Sequence, residues 1–135
     1  MNNSIQDALT KTGKALTAFE IMAQEPMQVH RGNVDATIQR FEFTIELFWK
    51  LLKRILLVLG REVLYPRDIL KEAYAGKLID NENVWLKMLN DRNQTAHTYD
   101  EQLADKIYTN IKDYCPILRQ TYNQLFERFE HFEQK

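Results

Sequence analysis

Residues that form tight turns are scarce in this sequence, which has only four glycines and three prolines among its 135 residues. An all-β domain of this length would need many more turns, so the composition favours long helices. The single cysteine, Cys115, excludes a disulfide framework and any zinc site built from cysteines. The longest apolar run covers residues 55–59, which is far too short for a membrane-spanning helix.

An excess of charge of either sign is also missing. The sequence has 18 Lys+Arg against 19 Asp+Glu, a net charge of −1, so nothing in the overall charge marks a nucleic-acid-binding protein. The first residues, MNNSIQDALTKTGK, lack the apolar stretch of a signal peptide. Because 44% of the residues are hydrophobic and 27% are charged, we expect one globular domain over residues 1–135, soluble and cytoplasmic, with no membrane contact.

Apolar residues recur at helical spacing along most of the chain, which predicts an all-α, up-and-down four-helix bundle with an additional short helix. The first helix is expected to begin near Ser4 and to end at Pro26, and residues 27–33 are expected to form a loop. Pro66 suits the first turn of the short helix. The last long helix contains Pro116, which predicts a kink or a break.

The second long helix has the most regular pattern of the sequence. Its main stripe alternates steps of three and four residues over about three heptads, and consists of Ile38, Phe41, Ile45, Phe48, Leu52, Ile55 and Leu59. A second apolar stripe beside it consists of Phe43, Leu47, Leu51 and Val58. A helix that is apolar on two sides lies centrally in a bundle or is covered by a second subunit. Gly60 is expected to end this helix.

A polar segment, residues 91–100, follows the fourth helix, which is expected to open at Asn81 or Asn83. The segment DRNQTAHTYD contains Arg92, His97 and Tyr99 in the spacing Arg-x-x-x-x-His-x-Tyr. This spacing resembles the signature of the HEPN superfamily. The resemblance extends over residues 38–53, 65–73 and 84–101. In these segments the sequence is similar to the branch of the superfamily called nucleotidyltransferase substrate-binding proteins.

The resemblance implies a homodimeric helical bundle in which two Arg/His pairs meet in a cleft between subunits. It implies a toxin that acts as a metal-independent ribonuclease, with Arg92 and His97 as catalytic residues, RNA as substrate and no cofactor. It also implies a partner, a minimal nucleotidyltransferase (MNT) that acts as antitoxin and transfers AMP to Tyr99. The alternative within the same family is a non-catalytic subunit that presents a substrate to the partner nucleotidyltransferase.

The chemistry of these residue types suits RNA cleavage. RNA carries its own nucleophile, the 2′-hydroxyl, so the enzyme needs a proton acceptor and a group that stabilises the charge of the phosphorane. The imidazole of His97 can provide the first, and the guanidinium of Arg92 the second. On a continuous helix, side chains five residues apart lie about 140° apart. The two therefore share a cleft only if the helix breaks within residues 93–96, or if the pair is split between subunits.

Each of these residues also has a purely structural interpretation. Arg92 and His97 at a helix end can bind orphan carbonyl groups, Tyr99 can be a half-buried aromatic residue, and Asn93 can be a helix cap. The sequence offers further residues that can line the cleft, namely Asn93, Arg40, Glu42 and Glu46. The two glutamates otherwise form a solvated helix face.

The remaining candidate residues give weaker indications of function. One concentration of positive charge, formed by Lys50, Lys53, Arg54, Arg61 and Arg67, is either a path for RNA or a solvated face. His30 and His131 have no metal-ligand spacing, so we expect no metal site. Trp49 and Trp85 are expected in the core or at a dimer interface, and Cys115 is expected to be a small buried hydrophobic residue.

Overall fold

The computed structural model describes residues 4–26 and 31–132 of the chain. Within them it contains α1 (Ser4–Gln24), α2 (Gly32–Val58), α3 (Pro66–Ala75), α4 (Glu82–Gln94), a 3-10 turn (Thr95–His97) and α5 (Glu101–Phe129). The all-α bundle with one short helix is therefore confirmed. No helix in the described part of the chain is long and apolar enough to cross a membrane.

Helix α2 lies at the centre of the bundle and packs against α1, α3, α4 and α5. Its main stripe is buried from Ile38 to Ile55, but Leu59 is exposed because the helix has already ended. In the second stripe Leu51 is buried and Leu47 and Val58 are partly buried, whereas Phe43 is exposed, and α1 packs along this side of the helix. The Thr12 hydroxyl donates to the Leu47 carbonyl at 3.4 Å, and the Thr44 hydroxyl donates to the Ala15 carbonyl at 3.1 Å. The helix was predicted either to lie centrally in a bundle or to be covered by a second subunit, and it lies centrally within a single chain.

The ends of the helices follow the expected capping chemistry at three positions. After α2, Gly60 adopts a φ of 90°, and the N–H groups of Gly60 and Arg61 donate to the carbonyls of Leu57 and Leu56. Pro66 occupies the first turn of α3. Of the two asparagines proposed to open the fourth helix, Asn81 is the cap, because its side chain accepts from the Val84 N–H at 3.2 Å.

One prediction about helix boundaries is wrong, and one of the two alternatives at Pro116 is excluded. Helix α2 begins at Gly32, inside the segment predicted to be a loop, whose residues 27–30 lie outside the described part of the chain. The preceding Arg31 has a φ of 62°, and its guanidinium pairs with Asp105 of α5 at 2.7 Å, so a long-range ion pair supports this start. The break at Pro116 is absent, because α5 continues through it with Tyr114 and Leu118 buried on either side.

Candidate functional site

The polar segment that was expected to end the helical pattern extends it instead. Helix α4 continues through Arg92 to Gln94, and the backbone then tightens into the 3-10 turn Thr95–His97. Asn93 lies within α4 and is exposed, so its interpretation as a cap is wrong. The cap of the next helix is Asp100, whose carboxylate accepts from the N–H groups of Gln102 and Leu103.

Arg92 contacts a carboxylate on the central helix rather than a carbonyl group. Its Nε and Nη2 atoms both donate to Oε1 of Glu46, at 3.1 and 2.5 Å. Both side chains are about two-thirds buried, with 27% and 39% of their surface exposed. A charge-assisted contact of this kind fixes the plane of the guanidinium and leaves part of its donors available to a ligand.

The carbonyl groups at the end of α4 have other partners. The Thr95 hydroxyl donates to the Arg92 carbonyl at 2.7 Å, and the Thr98 hydroxyl donates to the Thr95 carbonyl at 3.2 Å. These bonds satisfy acceptors that a helix end leaves without intrahelical partners. The capping role considered for the side chains of Arg92 and His97 is therefore taken by two threonines.

His97 and Tyr99 both lie on the surface, one at the end of the 3-10 turn and one just beyond it. His97 is exposed, and Tyr99 is 84% exposed, so the interpretation of Tyr99 as a half-buried aromatic residue is wrong. The two rings meet edge to face, with centroids 6.0 Å apart and planes at 83°. The phenol oxygen and the imidazole are thus presented together to solvent.

Arg92 and His97 lie on different sides of their segment. Two α-helical steps and three 3-10 steps separate them, which places their side chains about 160° apart around the axis. The guanidinium accordingly faces Glu46 on α2, whereas His97 faces solvent. The helix tightens into a 3-10 turn between them but does not break. A cleft formed by Arg92 and His97 of the same chain through a helix break is therefore not found, and the pair split between subunits is the arrangement that remains.

A buried hydrogen-bond group next to Arg92 was not predicted. Asp91 is buried, and its carboxylate accepts from the Tyr114 hydroxyl at 2.5 Å and from the Asn110 amide at 3.4 Å. Burial and this hydrogen bond raise the pKa of Tyr114 above the usual value of a phenol. The sequence does contain an indication of this burial, because Asp91 follows Met88 by three residues and so lies on the same, apolar side of α4.

Of the other predicted cleft residues on α2, one contacts Arg92 and the others do not. Glu46 contacts Arg92, but Glu42 makes no ion pair with any residue in the described ranges. Arg40 is exposed and lies about 120° from Glu46 around α2, because six residues separate them. Arg40 and Glu46 therefore do not lie on the same side of the helix.

The residues expected to be structural behave largely as predicted. Trp85 is buried against Phe48, with ring centroids 5.4 Å apart, whereas Trp49 is only partly buried. Cys115 is half-buried, and desolvation raises the pKa of its thiol to about 11, so it is a poor nucleophile. His131 contacts Glu130, and His30 lies outside the described residues. No group of potential metal ligands occurs within residues 4–26 and 31–132.

Comparison with known proteins defines the class of this fold. Its structure is similar to HI0074 of Haemophilus influenzae, described as a substrate binding domain of a nucleotidyltransferase, with a TM-score of 0.65 and 28% identity over 90% of this chain and 94% of that one. A crystal structure of a protein from Thermus thermophilus has a TM-score of 0.76 and 34% identity, covering 84% of this chain and 98% of the other.

The family follows from the sequence. Residues 7–127 match the model of the family described as nucleotidyltransferase substrate binding protein like, and the chain belongs to this family, as the resemblance to this branch of the HEPN superfamily predicted. A relative named "Probable ribonuclease HepT", from Haemophilus influenzae, is 34% identical over 98 residues, which is 67% of this chain. The matched region spans 65% of the length of that relative.

Proposed function

We propose that this protein is a HEPN-type endoribonuclease that needs no metal and cleaves RNA in a cleft between two copies of the chain. The observation that supports this proposal is the fixed guanidinium of Arg92, held by Glu46, next to a turn that exposes His97. The name of the relative, a probable ribonuclease, is consistent with it. Homodimerisation and RNA as substrate are parts of the same proposal.

The proposed reaction uses the 2′-hydroxyl of RNA as its nucleophile. His97 accepts the proton of this hydroxyl while the 2′-oxygen bonds to the adjacent phosphorus. Arg92 stabilises the negative charge on the phosphorane through the donors that Glu46 leaves available. The bond from phosphorus to the 5′-oxygen then breaks, and this oxygen takes up a proton. The products are a 2′,3′-cyclic phosphate and a 5′-hydroxyl end, with no co-reactant.

The first prediction concerns the two catalytic residues. Both Arg92→Ala and His97→Ala are expected to lower RNA cleavage by roughly 10²- to 10⁴-fold, because each removes a group that acts on the transition state. Cleavage is measured in EDTA, and the ends of the products are identified by mass spectrometry. His131→Ala is the matched control, since His131 is exposed and lies at the far end of the chain. Full activity of His97→Ala, or strict dependence on a divalent metal, would rule the mechanism out.

Control by a partner is the second part of the proposal. A cognate minimal nucleotidyltransferase is proposed to act as antitoxin and to join Tyr99 to AMP. The Tyr99 oxygen attacks the α-phosphorus of ATP and pyrophosphate leaves, with the partner supplying its own metal. The exposure of Tyr99 and its contact with His97 support this assignment. The added phosphodiester would lie beside the catalytic groups and repel the RNA backbone.

The second prediction tests this modification. Tyr99→Phe is expected to keep ribonuclease activity and to escape modification, because it loses only the acceptor oxygen. The chain is co-expressed with the nucleotidyltransferase and its intact mass is measured. Tyr65→Phe is a matched control, since Tyr65 is also well exposed but precedes α3. A wild-type chain that never gains the mass of AMP, or a Tyr99→Phe chain that gains it equally, would show that Tyr99 is not the acceptor.

A second candidate function is a non-catalytic subunit that presents a substrate to the partner nucleotidyltransferase. The ion pair of Arg92 with Glu46 favours it, because the pair compensates the positive charge that RNA binding would use. The description of HI0074 as a substrate binding domain points the same way. RNA cleavage that depends on His97 is expected only from the enzyme, so the first prediction separates the two functions.

A further inference from the structure

A cavity of about 300 Å³ adjoins the Arg92–Glu46 pair. We call it the base pocket, and it is lined by Glu46, Trp49, Lys50, Lys53, Leu64, Pro66 and Ile69. Its volume is at the lower end of the range for small-molecule sites, which suits one flat ring system rather than a large ligand. Glu46 both lines the pocket and binds Arg92, so this carboxylate connects the pocket to the guanidinium, which is not itself part of the lining.

The lining of the base pocket combines an aromatic ring with an apolar wall. Trp49 of α2 lines the cavity together with Leu64 from the connection before α3 and Pro66 from the first turn of α3. Trp49 is only partly buried, and its Nε1–H is buried without a hydrogen-bond partner among the described residues. Because the N–H is buried, the part of Trp49 that a ligand in the pocket contacts is its apolar ring surface.

The charges at the rim of the base pocket are positive. Lys50 and Lys53 are exposed and form no ion pair with any residue in the described part of the chain. The acidic residue of the lining, Glu46, is compensated by Arg92. Two ammonium groups next to an aromatic, apolar wall complement a nucleotide, whose base is flat and whose phosphates are anionic.

We propose that the base pocket binds one nucleobase of the RNA strand, in the nucleotide adjacent to the phosphate held by Arg92. The base stacks against Trp49, and Lys50 and Lys53 bind the flanking phosphates. The identity of the ligand rests on the proposed ribonuclease function. The pocket would make cleavage depend on the presence of a base beside the cleaved bond.

The fluorescence of Trp49 provides a test that is independent of cleavage. The probe is a short 2′-O-methyl RNA, which lacks the attacking hydroxyl, and its counterpart has abasic positions. The strand with bases is expected to quench tryptophan fluorescence and the abasic strand is not. Trp49→Phe should abolish the quenching, whereas Trp85→Phe should retain it, because Trp85 is only 1% exposed. Equal quenching by both strands would overturn the proposal.

Binding of the same probe is also measured by anisotropy of a labelled strand. Trp49→Ala is expected to weaken binding about tenfold or more, because a stacked base is lost. Lys53→Gln, an exposed substitution that leaves packing intact, should reduce the dependence of log K on log salt by about 0.7. Lys14→Gln, on the α1–α5 side of the bundle, is the matched control and should have no effect. If Lys53→Gln and Trp49→Ala bind the strand as the wild-type chain does, the proposal that the base pocket binds a nucleobase is wrong.

The outcomes separate this proposal from the proposed function. If the uncleavable strand binds at Trp49 but RNA is not cleaved, the pocket stands and the ribonuclease proposal fails. If RNA is cleaved with an unchanged KM in Trp49→Ala, the pocket fails and the ribonuclease proposal stands. If Trp49 fluorescence instead changes with protein concentration and is insensitive to the strand, a second copy covers the pocket and the proposal is wrong.

Discussion

Asp91 and Arg92 are consecutive residues that tie the end of α4 to two different helices. Asp91 binds Tyr114 of α5, and Arg92 binds Glu46 of α2. Adjacent positions on a helix point about 100° apart, so one turn of α4 reaches both neighbours. These two tertiary contacts explain why a segment of polar residues remains helical, and they fix the backbone from which the turn with His97 emerges.

The bond between Tyr114 and Asp91 leads to a prediction about stability. Tyr114→Phe leaves a buried carboxylate without its strongest donor, which is expected to cost about 1–3 kcal/mol at neutral pH. Urea unfolding followed by circular dichroism measures this loss. Phe is the suitable replacement because it preserves the ring contact with Phe41.

The same bond predicts how stability changes at alkaline pH. The pKa of Tyr114 is raised in the folded state by burial and by Asp91, so the folded chain holds this proton when the unfolded chain loses it. The stabilisation is complete below the ordinary phenol pKa near 10 and decreases as the pH rises above it. Wild-type stability should therefore fall more steeply above about pH 10 than that of Tyr114→Phe. Parallel pH profiles would contradict this role of Tyr114.

At the scale of helices, local patterns were predictable and long-range contacts were not. The buried stripe of α2 and the caps at Gly60 and Asn81 follow from the sequence, since period and capping chemistry are local. At the early start of α2, Arg31 pairs with Asp105 of α5, a long-range contact that no local pattern reveals. Pro116 does not break α5, and the buried residues Tyr114 and Leu118 on either side of it hold the two halves of the helix in the bundle.

In the candidate site, too, the local sequence pattern was predictable and the long-range contacts were not. The spacing of Arg92, His97 and Tyr99 singled out the segment, and family resemblance suggested what each residue does. Glu46 was named only as a possible neighbour, because its contact with Arg92 joins residues 46 positions apart. The cap assigned to Asn93 was wrong, since Asp100 is the residue that opens α5.

The cap of α5 supports the turn that presents His97. The Asp100 carboxylate accepts two N–H groups of α5, and the Asp100 N–H donates to the His97 carbonyl at 3.1 Å. Asp100→Ala is expected to lower stability by about 1 kcal/mol, and Asp100→Asn, which retains an acceptor oxygen, by less. Thermal unfolding measures both variants. An equal loss in the two would show that the capping bonds are not the cause.

At the scale of the whole molecule, α1 packs along the second apolar stripe of α2 but leaves Phe43 of that stripe exposed. Phe43 lies one turn before Glu46, and further exposed apolar residues, Leu57, Leu64 and Tyr65, lie near the end of α2. The homodimer therefore stays a prediction, now based on these residues and on the geometry of the Arg/His pair. A specific interface would bury more than about 1,000 Å². Sedimentation should then give about twice the chain mass of 16.1 kDa.

Because Arg92 and His97 lie on different sides of their segment, the proposed cleft between two copies takes Arg92 from one chain and His97 from the other. This central claim is tested most directly by complementation. Arg92→Ala and His97→Ala chains are inactive alone, but a mixed dimer contains one intact cleft. After co-refolding, the mixture should regain about a quarter of wild-type RNA cleavage, because half of the dimers are mixed and each has one intact cleft of two. A mixture that stays as inactive as the separate variants would contradict the shared cleft.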